Sequence, residues 1–514
     1  MLLIYPPIAR TTEPPLGIAR LAGLLRRHGA PAQCLDLSRD GIDYLLGLEI
    51  NADDTATRGA LRRRVRQQTL LRSPAGYENQ DRYRRAVFDL QRALKAASAR
   101  AGVEVGLADY RDPNRSPVSR RDLRDAAAAY ETNVFFPVFR DRIHAALSAS
   151  GAQRVGISVN YLSQALCAFA IAGFLRASRP DLDIVLGGSL ITSWIAQGRI
   201  VDTERFGGLV GAILPGRGEE AIGALLKTTG IRTSLHAAPD FSDFGDGYFA
   251  PRAIIPYNFA GGCAWRRCSF CPESTEARRY VPTPLEYAFR DLATLVDRHQ
   301  PGLLHFTDNE ITPRYLQALA AHPPGAPWYG FARFCAALTD EAMCRKLAAS
   351  GCVMLQLGLE SGDQHVLDRL GKGTRLDAIE RALDALAAAG IAVFLYLLFG
   401  TPAEDRDSAC RTRDFVAAHA EQIGFLNVAV FNLPIASIEA RRLQTTTFYP
   451  GDLSLYCEFR HPRGWNRDAV RSFLATEFDT EPAIQPILAR TPPVFTSNHA
   501  PFFVHRQTRT CDMP

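Results

Sequence analysis

Three cysteines, Cys263, Cys268 and Cys271, fall within nine residues of one stretch, Gly261-Gly262-Cys263-Ala264-Trp265-Arg266-Arg267-Cys268-Ser269-Phe270-Cys271-Pro272. Thiolates are the soft ligands that iron–sulfur clusters and zinc prefer, and a single loop carrying three of them can wrap a metal centre. The count is informative. A structural zinc site closes on four ligands, and an electron-transfer cubane takes four cysteines. A cubane held by three leaves one iron open to another ligand. The competing readings are a zinc knuckle that borrows a distant ligand, or three core cysteines. Further polar residues stand at or near the ends of apolar runs: Glu310 in Asp308-Asn309-Glu310, Arg333, the Glu360-Ser361 pair, and Gly400 in Gly400-Thr401-Pro402. A guanidinium fork suits a carboxylate. Ion pairs on a barrel rim and a plain turn are the alternatives for these positions. Cys335, just past a strand end, is the one other cysteine of this half placed to enter a site; Cys344, Cys352, Cys410 and Cys457 read as small buried hydrophobes and Cys511 as exposed. His499 reads as a satisfied structural histidine.

These residues need a frame, and the chain supplies strand–helix alternation twice. Strands are expected ahead of Gly261 and at 303–307, 328–334, 353–359, 393–399 and 425–431, with helices at 284–299 and from 339. Six such units predict an open, partial (β/α)6 barrel, whose chemistry sits at the C-terminal ends of the strands. Earlier in the chain, strands at 2–5, 33–37, 154–159, 183–188 and 211–214 and helices at 16–25 and 164–178 predict a Rossmann-like parallel sheet covered on both faces. Residues 51–150 interrupt it and read as inserted helices, rich in Arg, Ala, Gln and Leu. Their arginines suggest a solvated face, or contact with an anionic substrate or partner. Residues 231–252 are dominated by turn formers and read as a linker. The fold class is therefore α/β. An N-terminal Rossmann-like domain (1–230, insertion about 51–150) is followed by the linker, a partial barrel (253–440) and a small C-terminal cap over its mouth (441–514).

The 514 residues are too many for one ordinary domain. With 47% hydrophobic and 22% charged residues the balance is that of an ordinary globular chain. A net charge of +5, spread along the chain, is too weak and diffuse to argue for nucleic acid. The start, Met1-Leu2-Leu3-Ile4-Tyr5-Pro6-Pro7, does not read as a signal peptide, and no apolar run is long enough to span a bilayer. Eleven cysteines without such a signal suggest a reducing cytoplasm.

The cysteine loop resembles that of the radical S-adenosylmethionine (SAM) superfamily, whose usual motif is Cys-x3-Cys-x2-Cys with an aromatic residue before the last cysteine. Phe270 and Cys268-x2-Cys271 fit; the first gap is four residues instead of three. The resemblance implies a 4Fe–4S cluster on Cys263, Cys268 and Cys271, and SAM contacts from Phe270, Glu310, Arg333, Glu360, Ser361 and Gly400. Glu310 stands where the superfamily places Gly-Gly-Glu, with Asp308 and Asn309 in place of the glycines. Residues 1–230 are similar to the cobalamin-binding domain that precedes the radical SAM domain in one large class, through Tyr5-Pro6-Pro7, Gly156-Ile157-Ser158, Leu186-Gly187-Gly188 and Gly216-Arg217-Gly218-Glu219. This implies cobalamin contacts from Tyr161, Ser163, Gly187, Gly188, Gly216 and Gly218. No Asp-x-His-x-x-Gly segment is present to give the cobalt a histidine. The implied activity is a cobalamin-dependent radical SAM methyltransferase acting on an unactivated carbon through a 5′-deoxyadenosyl radical. The alternative is radical ring formation, rearrangement or oxidation with an accessory or vestigial cobalamin domain. The implied partners are an electron donor such as flavodoxin or ferredoxin and an unnamed substrate: a peptide, a lipid or a small metabolite.

Overall fold

The computed structural model describes residues 1–201, 205–227, 236–495 and 499–504; Cys511 and residues 231–235 of the expected linker lie outside them. The chain divides into two compact units. One comprises Met1–Ile254 with Tyr449–Leu455 and Pro493–Asn498; the other comprises Ile255–Phe448, Tyr456–Pro492 and His499–Pro514. No helix among the described residues is long and apolar enough to cross a membrane.

In the first unit, β1 (Leu2–Tyr5), β2 (Gln33–Asp36), β3 (Arg154–Ser158), β4 (Asp183–Gly187) and β5 (Ala212–Leu214) form a parallel sheet in the order β2-β1-β3-β4-β5. Each strand is short and dominated by Leu, Ile and Val because both sheet faces are covered, and Leu2, Ile4, Val155, Ile157, Ile184 and Leu186 are buried. The chain steps outward from β1 to β2, then returns to lay β3 on the other side of β1. Right-handed crossovers in opposite directions place helices on opposite faces, so the strand order reverses between β1 and β3, the position at which open α/β sheets bind ligands.

The interruption between β2 and β3 is helical, with Thr55–Leu71, Gln80–Ser98, Arg120–Ala128 and Phe136–Ser150. Asp54, Asn79 and Ser119 cap the first three by accepting the amides of Thr57, Arg82 and Asp122. Its arginines are partly internal: Arg63 grips Asp89 with two nitrogens, at 2.9 and 2.8 Å, joining two of these helices. Residues 236–252 are not a loose connection. Asp240 and Asp243 both pair with Arg26, Tyr248 donates to Asp36 at 2.8 Å, and Phe241 and Phe249 are buried. Turn formers correctly indicated irregular backbone, but its aromatic and acidic side chains dock it onto the first unit.

In the second unit, β6 (Ile254–Tyr257), β7 (Leu303–Phe306), β8 (Trp328–Ala332), β9 (Cys352–Glu360), β10 (Ala392–Phe399) and β11 (Phe425–Val430) lie side by side in chain order. Because every crossover steps the same way, right-handed connections put all the helices on one face, and the other face becomes the inside of an open barrel. Burial records this. Leu355, Leu357, Leu359, Leu395, Leu397 and Phe399 are buried beneath helices, while Phe331, Gly358, Glu360, Tyr396 and Leu398 are partly open. At the N-terminal end of the strands the inner face is closed by aromatics: His305 stacks on Tyr329 at 4.3 Å, and His499 meets Phe394 edge-on at 4.8 Å.

The tail does not form one cap over the mouth. His461 and Trp465 reach the end of β10, whereas Arg490 and Phe503 contact the start of β11, at the opposite end of the sheet. A three-stranded antiparallel sheet, Leu433–Pro434, Thr445–Thr447 and Tyr456–Phe459, precedes them.

Candidate functional site

The cysteine loop leaves the end of β6 and is pinched at its base by a short antiparallel pairing of Ala260–Gly261 with Val281–Pro282. Asp308, beyond β7, fixes the entry, since its buried carboxylate accepts from the amides of Phe259 and Ala260 at 2.9 and 2.8 Å. Asp308 stands where the motif expects glycine, and here the side chain ties β7 to the loop. Trp265 lies within the four-residue gap. Its indole N–H donates to Gly371 O at 2.9 Å, and the Arg333 guanidinium lies 4.4 Å above its ring. The ring packs so tightly on Gly373 that a side chain there would overlap it, and Gly373 has a φ of +69°. Ser269 N donates to Leu370 O at 3.0 Å, so the loop is fastened at two points to the turn after the short helix Gln364–Arg369 that follows β9.

All three thiols are free of disulfides. Arg333 donates to Cys268 Sγ at 3.6 Å, and Cys263 Sγ donates to Glu310 at 3.4 Å. Burial, with the charges of Cys268, Glu273 and Cys263 nearby, pushes the Cys271 thiol up to about 11, and burial with Glu310 raises Cys263. No three His, Cys, Asp or Glu side chains among the described residues converge on a single-ion position. Cluster ligation places each sulfur on a different iron, so it does not require that convergence. Soft donors on one loop, beside a guanidinium that offsets their negative charge, fit a cluster of this kind.

Around the loop stand two acids and two bases. Arg333 Nε lies 3.8 Å from Glu310, and Lys372 Nζ lies 2.7 Å from Glu360. Arg333 also donates to Lys372 O, and Lys372 sits 5.9 Å from the centre of the Phe270 ring. The charges balance, and together they offer carboxylates for an ammonium group and cations for a carboxylate, which is what a SAM amino-acid end requires. Glu360 holds a φ of +67° beside an irregularity in the β9–β10 register. Strain of this sort in a non-glycine residue collects at functional positions. Lys372 and Trp265 were not among the site residues named from sequence, and Asp308 was named only as a replacement for a motif glycine; for Lys372 the Gly371-Lys372-Gly373 turn was the available signal.

Two expected residues stand differently. Ser361 is fully buried, its hydroxyl 3.2 Å from Thr412 on the helix Arg406–Ala418 and accepting from Asp363 N. Side chains alternate along a strand, so Glu360 faces inward and Ser361 continues the helix-facing row of Leu357 and Leu359. Gly400 donates its amide to Glu404, which also accepts from Trp465 Nε1 at 2.9 Å. Burial raises Glu404 to about 8, and its Oε1 has no partner. His461 holds Thr401 O at 2.9 Å, so the tail braces the Gly400 turn. Cys335 is half-buried near Glu310 and Arg333.

In the first unit, the segments that follow β1 and β3 are joined by cross-ties. Gln164 accepts from Asn160 N and Tyr161 N and donates to Pro6 O; Ser163 Oγ donates to Ile8 O at 2.8 Å. Tyr161 is 40% exposed and its hydroxyl accepts from Arg10 at 2.9 Å. Gly187 ends β4, and Gly188 follows with a φ of +105°, where a side chain would overlap the Val159 backbone. Gly216 has open space where a side chain would stand, whereas Gly218 is packed against Leu21. Thr11 and Thr12, in the loop after β1, carry buried hydroxyls without partners. Tyr161 and Gly216 thus mark an edge of exposed ring and bare backbone that fits a large flat ligand, with Gly188 held against Val159 beside them; Ser163 and Gly218 serve the scaffold.

Residues 257–416 match the model of the Radical SAM superfamily. Over 163 residues the chain is 27% identical to an anaerobic magnesium-protoporphyrin IX monomethyl ester cyclase of Rubrivivax gelatinosus, a stretch covering 30% of this chain and 29% of that protein. Among solved structures, the radical S-adenosylmethionine methyltransferase TsrM of Kitasatospora setae, with cobalamin and a 4Fe–4S cluster bound, aligns over 99% of each chain at 15% identity, with a TM-score of 0.57. The cobalamin-dependent S-adenosylmethionine radical enzyme OxsB, with aqua-cobalamin bound, aligns over 66% of this chain and 60% of its own at 16% identity, with a TM-score of 0.50. At such identities the likeness to these structures is one of fold.

Proposed function

From the premise that residues 257–416 of this chain form a radical SAM domain, we propose that the protein is a cobalamin-dependent radical SAM enzyme that transfers a methyl group to an unactivated carbon. The observation that carries the reading is the juxtaposition of three free thiols with the balanced set Glu310, Arg333, Glu360 and Lys372. Cys263, Cys268 and Cys271 hold the 4Fe–4S cluster. Glu310 receives the SAM ammonium and Arg333 its carboxylate, while Glu360, fixed by Lys372, reaches the ribose and amino-acid end. Phe270 walls the site and the Gly400 turn lies near adenine, with Ser361 acting from behind the strand. Tyr161, Gly187, Gly188 and Gly216 border the cobalamin site. When bound, the cluster supplies one electron for SAM cleavage to a 5′-deoxyadenosyl radical, and cobalamin supplies a transferable methyl group. The chain's own part is to orient SAM, to keep water from the reacting carbon and to hold the charges in place.

Support for cobalamin comes from the reversal of strand order between β1 and β3 and from full-length likeness in fold to a cobalamin-bound methyltransferase. The cyclase relative favours a second reading, radical ring formation without methyl transfer. The electron donor is a flavodoxin or ferredoxin. Anaerobic reconstitution with iron, sulfide and hydroxocobalamin, followed by mass spectrometry of products from labelled methyl-SAM, separates the two. Bound corrinoid and a labelled product are expected; a cyclised product without label, or no bound corrinoid, would overturn methyl transfer.

A further inference from the structure

The inner face of the barrel carries a second polar layer one step below the charged set. Gln356 on β9 is in register with Phe331 on β8 and Phe394 on β10, and Tyr396 is in register with Asn427 on β11. The Gln356 amide donates to the Tyr396 hydroxyl at 3.0 Å, and Tyr396 packs against Phe331 and Phe394 at 5.0 and 4.8 Å between ring centres. Gln356 is 1% exposed and its Oε1 has no hydrogen-bond partner. Turning the amide over would exchange which end is left unmatched but not remove the mismatch. Burying such an acceptor without a partner is costly, so the orphan asks for an explanation. Packing alone does not supply one, since methionine would fill similar space with no polar cost.

Resting on the radical SAM reading of the layer above, we infer that Gln356, with Tyr396 and Asn427, is the specificity layer of the substrate site, and that it takes an uncharged planar group bearing an N–H donor, a carboxamide or an N–H-bearing ring. Three features select this chemistry. The layer contains no charged side chain, so a carboxylate or ammonium placed here would be desolvated without a counter-ion. An aliphatic lipid chain would leave the Gln356 carbonyl unmatched, whereas an N–H donor completes it. Phe331 and Tyr396, both partly open, provide ring faces against which a planar group stacks. The Gly358 position, in register with Tyr396, is overlain by the Glu360–Lys372 pair, which a side chain there would overlap, so the layer lies directly beneath the charged set.

The test uses the anaerobically purified full chain and four fragments of similar shape: benzamide, N,N-dimethylbenzamide, benzoate and benzylamine, with binding read by ligand-observed NMR titration. Benzamide is expected to bind about tenfold more tightly than the other three, the worth of one well-made hydrogen bond. Gln356→Met should erase that preference while holding the Tm at or above that of the parent chain, because the unmatched carbonyl is gone. Equal binding of all four, tighter binding of a charged fragment, or a preference that survives Gln356→Met overturns the inference. So does a Tm that falls by more than about 3 °C, which would assign the amide to the scaffold. Iron content and SAM binding are measured on the same samples. A chain that holds cluster and SAM but does not discriminate the fragments overturns this inference alone; a chain that holds neither overturns the reading beneath it.

Discussion

At the residue scale the site is a problem in buried charge. Lys372 and Glu360 are both largely withdrawn from water, and their contact is 2.7 Å. Removing one partner of such a pair leaves the other desolvated and uncompensated, so Lys372→Met is expected to destabilise the chain by about 3 kcal/mol in chemical denaturation. It should also weaken SAM binding about tenfold in equilibrium dialysis, because Glu360 loses the partner that fixes it at a positive φ. Unchanged stability would mean that the pair opens to solvent. The thiols answer to a different measurement. Cys268 is 7% exposed, its sulfur accepts from Arg333 and its carbonyl from Cys271 N, and Cys268→Ala removes one side-chain atom and keeps the backbone bond. The expected result is loss of the cluster's iron, sulfide and visible absorbance, with no SAM cleavage, in a chain that still unfolds cooperatively. Retained SAM cleavage would refute the assignment of the three cysteines.

At the element scale the question is how a loop one residue longer than usual still delivers its thiols. The structure answers with Trp265, wedged between Arg333 and the Gly373 turn. Gly373→Ala would drive a methyl group into the indole, and iron bound per chain after reconstitution is expected to fall severalfold. Gly390→Ala is the matched control. Gly390 has a similar φ, +72° against +69°, with nothing near the added atom, so it shares the backbone cost of about 1 kcal/mol and should keep its iron. Equal iron in the two variants would show that Trp265 does not set the loop. These cases also mark what could be read from the sequence. The barrel strands were legible because apolar runs in a covered parallel sheet leave little choice of structure, and the cysteines because ligand spacing is local. The inward direction of Glu360 against Ser361 was not, since it depends on the strand parity that reaches the rim through an irregular register. Nor was Lys372, whose partner lies twelve residues away across the short helix Gln364–Arg369, nor the division of the tail between the two ends of the sheet, which nothing local encodes.

At the scale of the whole molecule, buried ionisable groups outside the site govern how stability responds to pH. Glu404 is completely buried, shares one oxygen between Gly400 N and Trp465 Nε1, and leaves the other without a partner. Burial raises it from 4.5 to about 8, so at neutral pH the folded chain keeps a proton that the unfolded chain releases. Stability therefore falls as pH rises from about 4.5 to about 8, and the contribution is flat beyond that. A neutral glutamine in the same place would keep the acceptor for Gly400 and Trp465 and carry no such penalty. Glu404→Gln is thus expected to melt above the parent chain at pH 8, by a margin that shrinks steadily as the pH is lowered toward 5. Thermal melts across that range check it. A margin independent of pH would mean that the carboxyl is not titrating with folding, and that water reaches Glu404 behind the Gly400 turn.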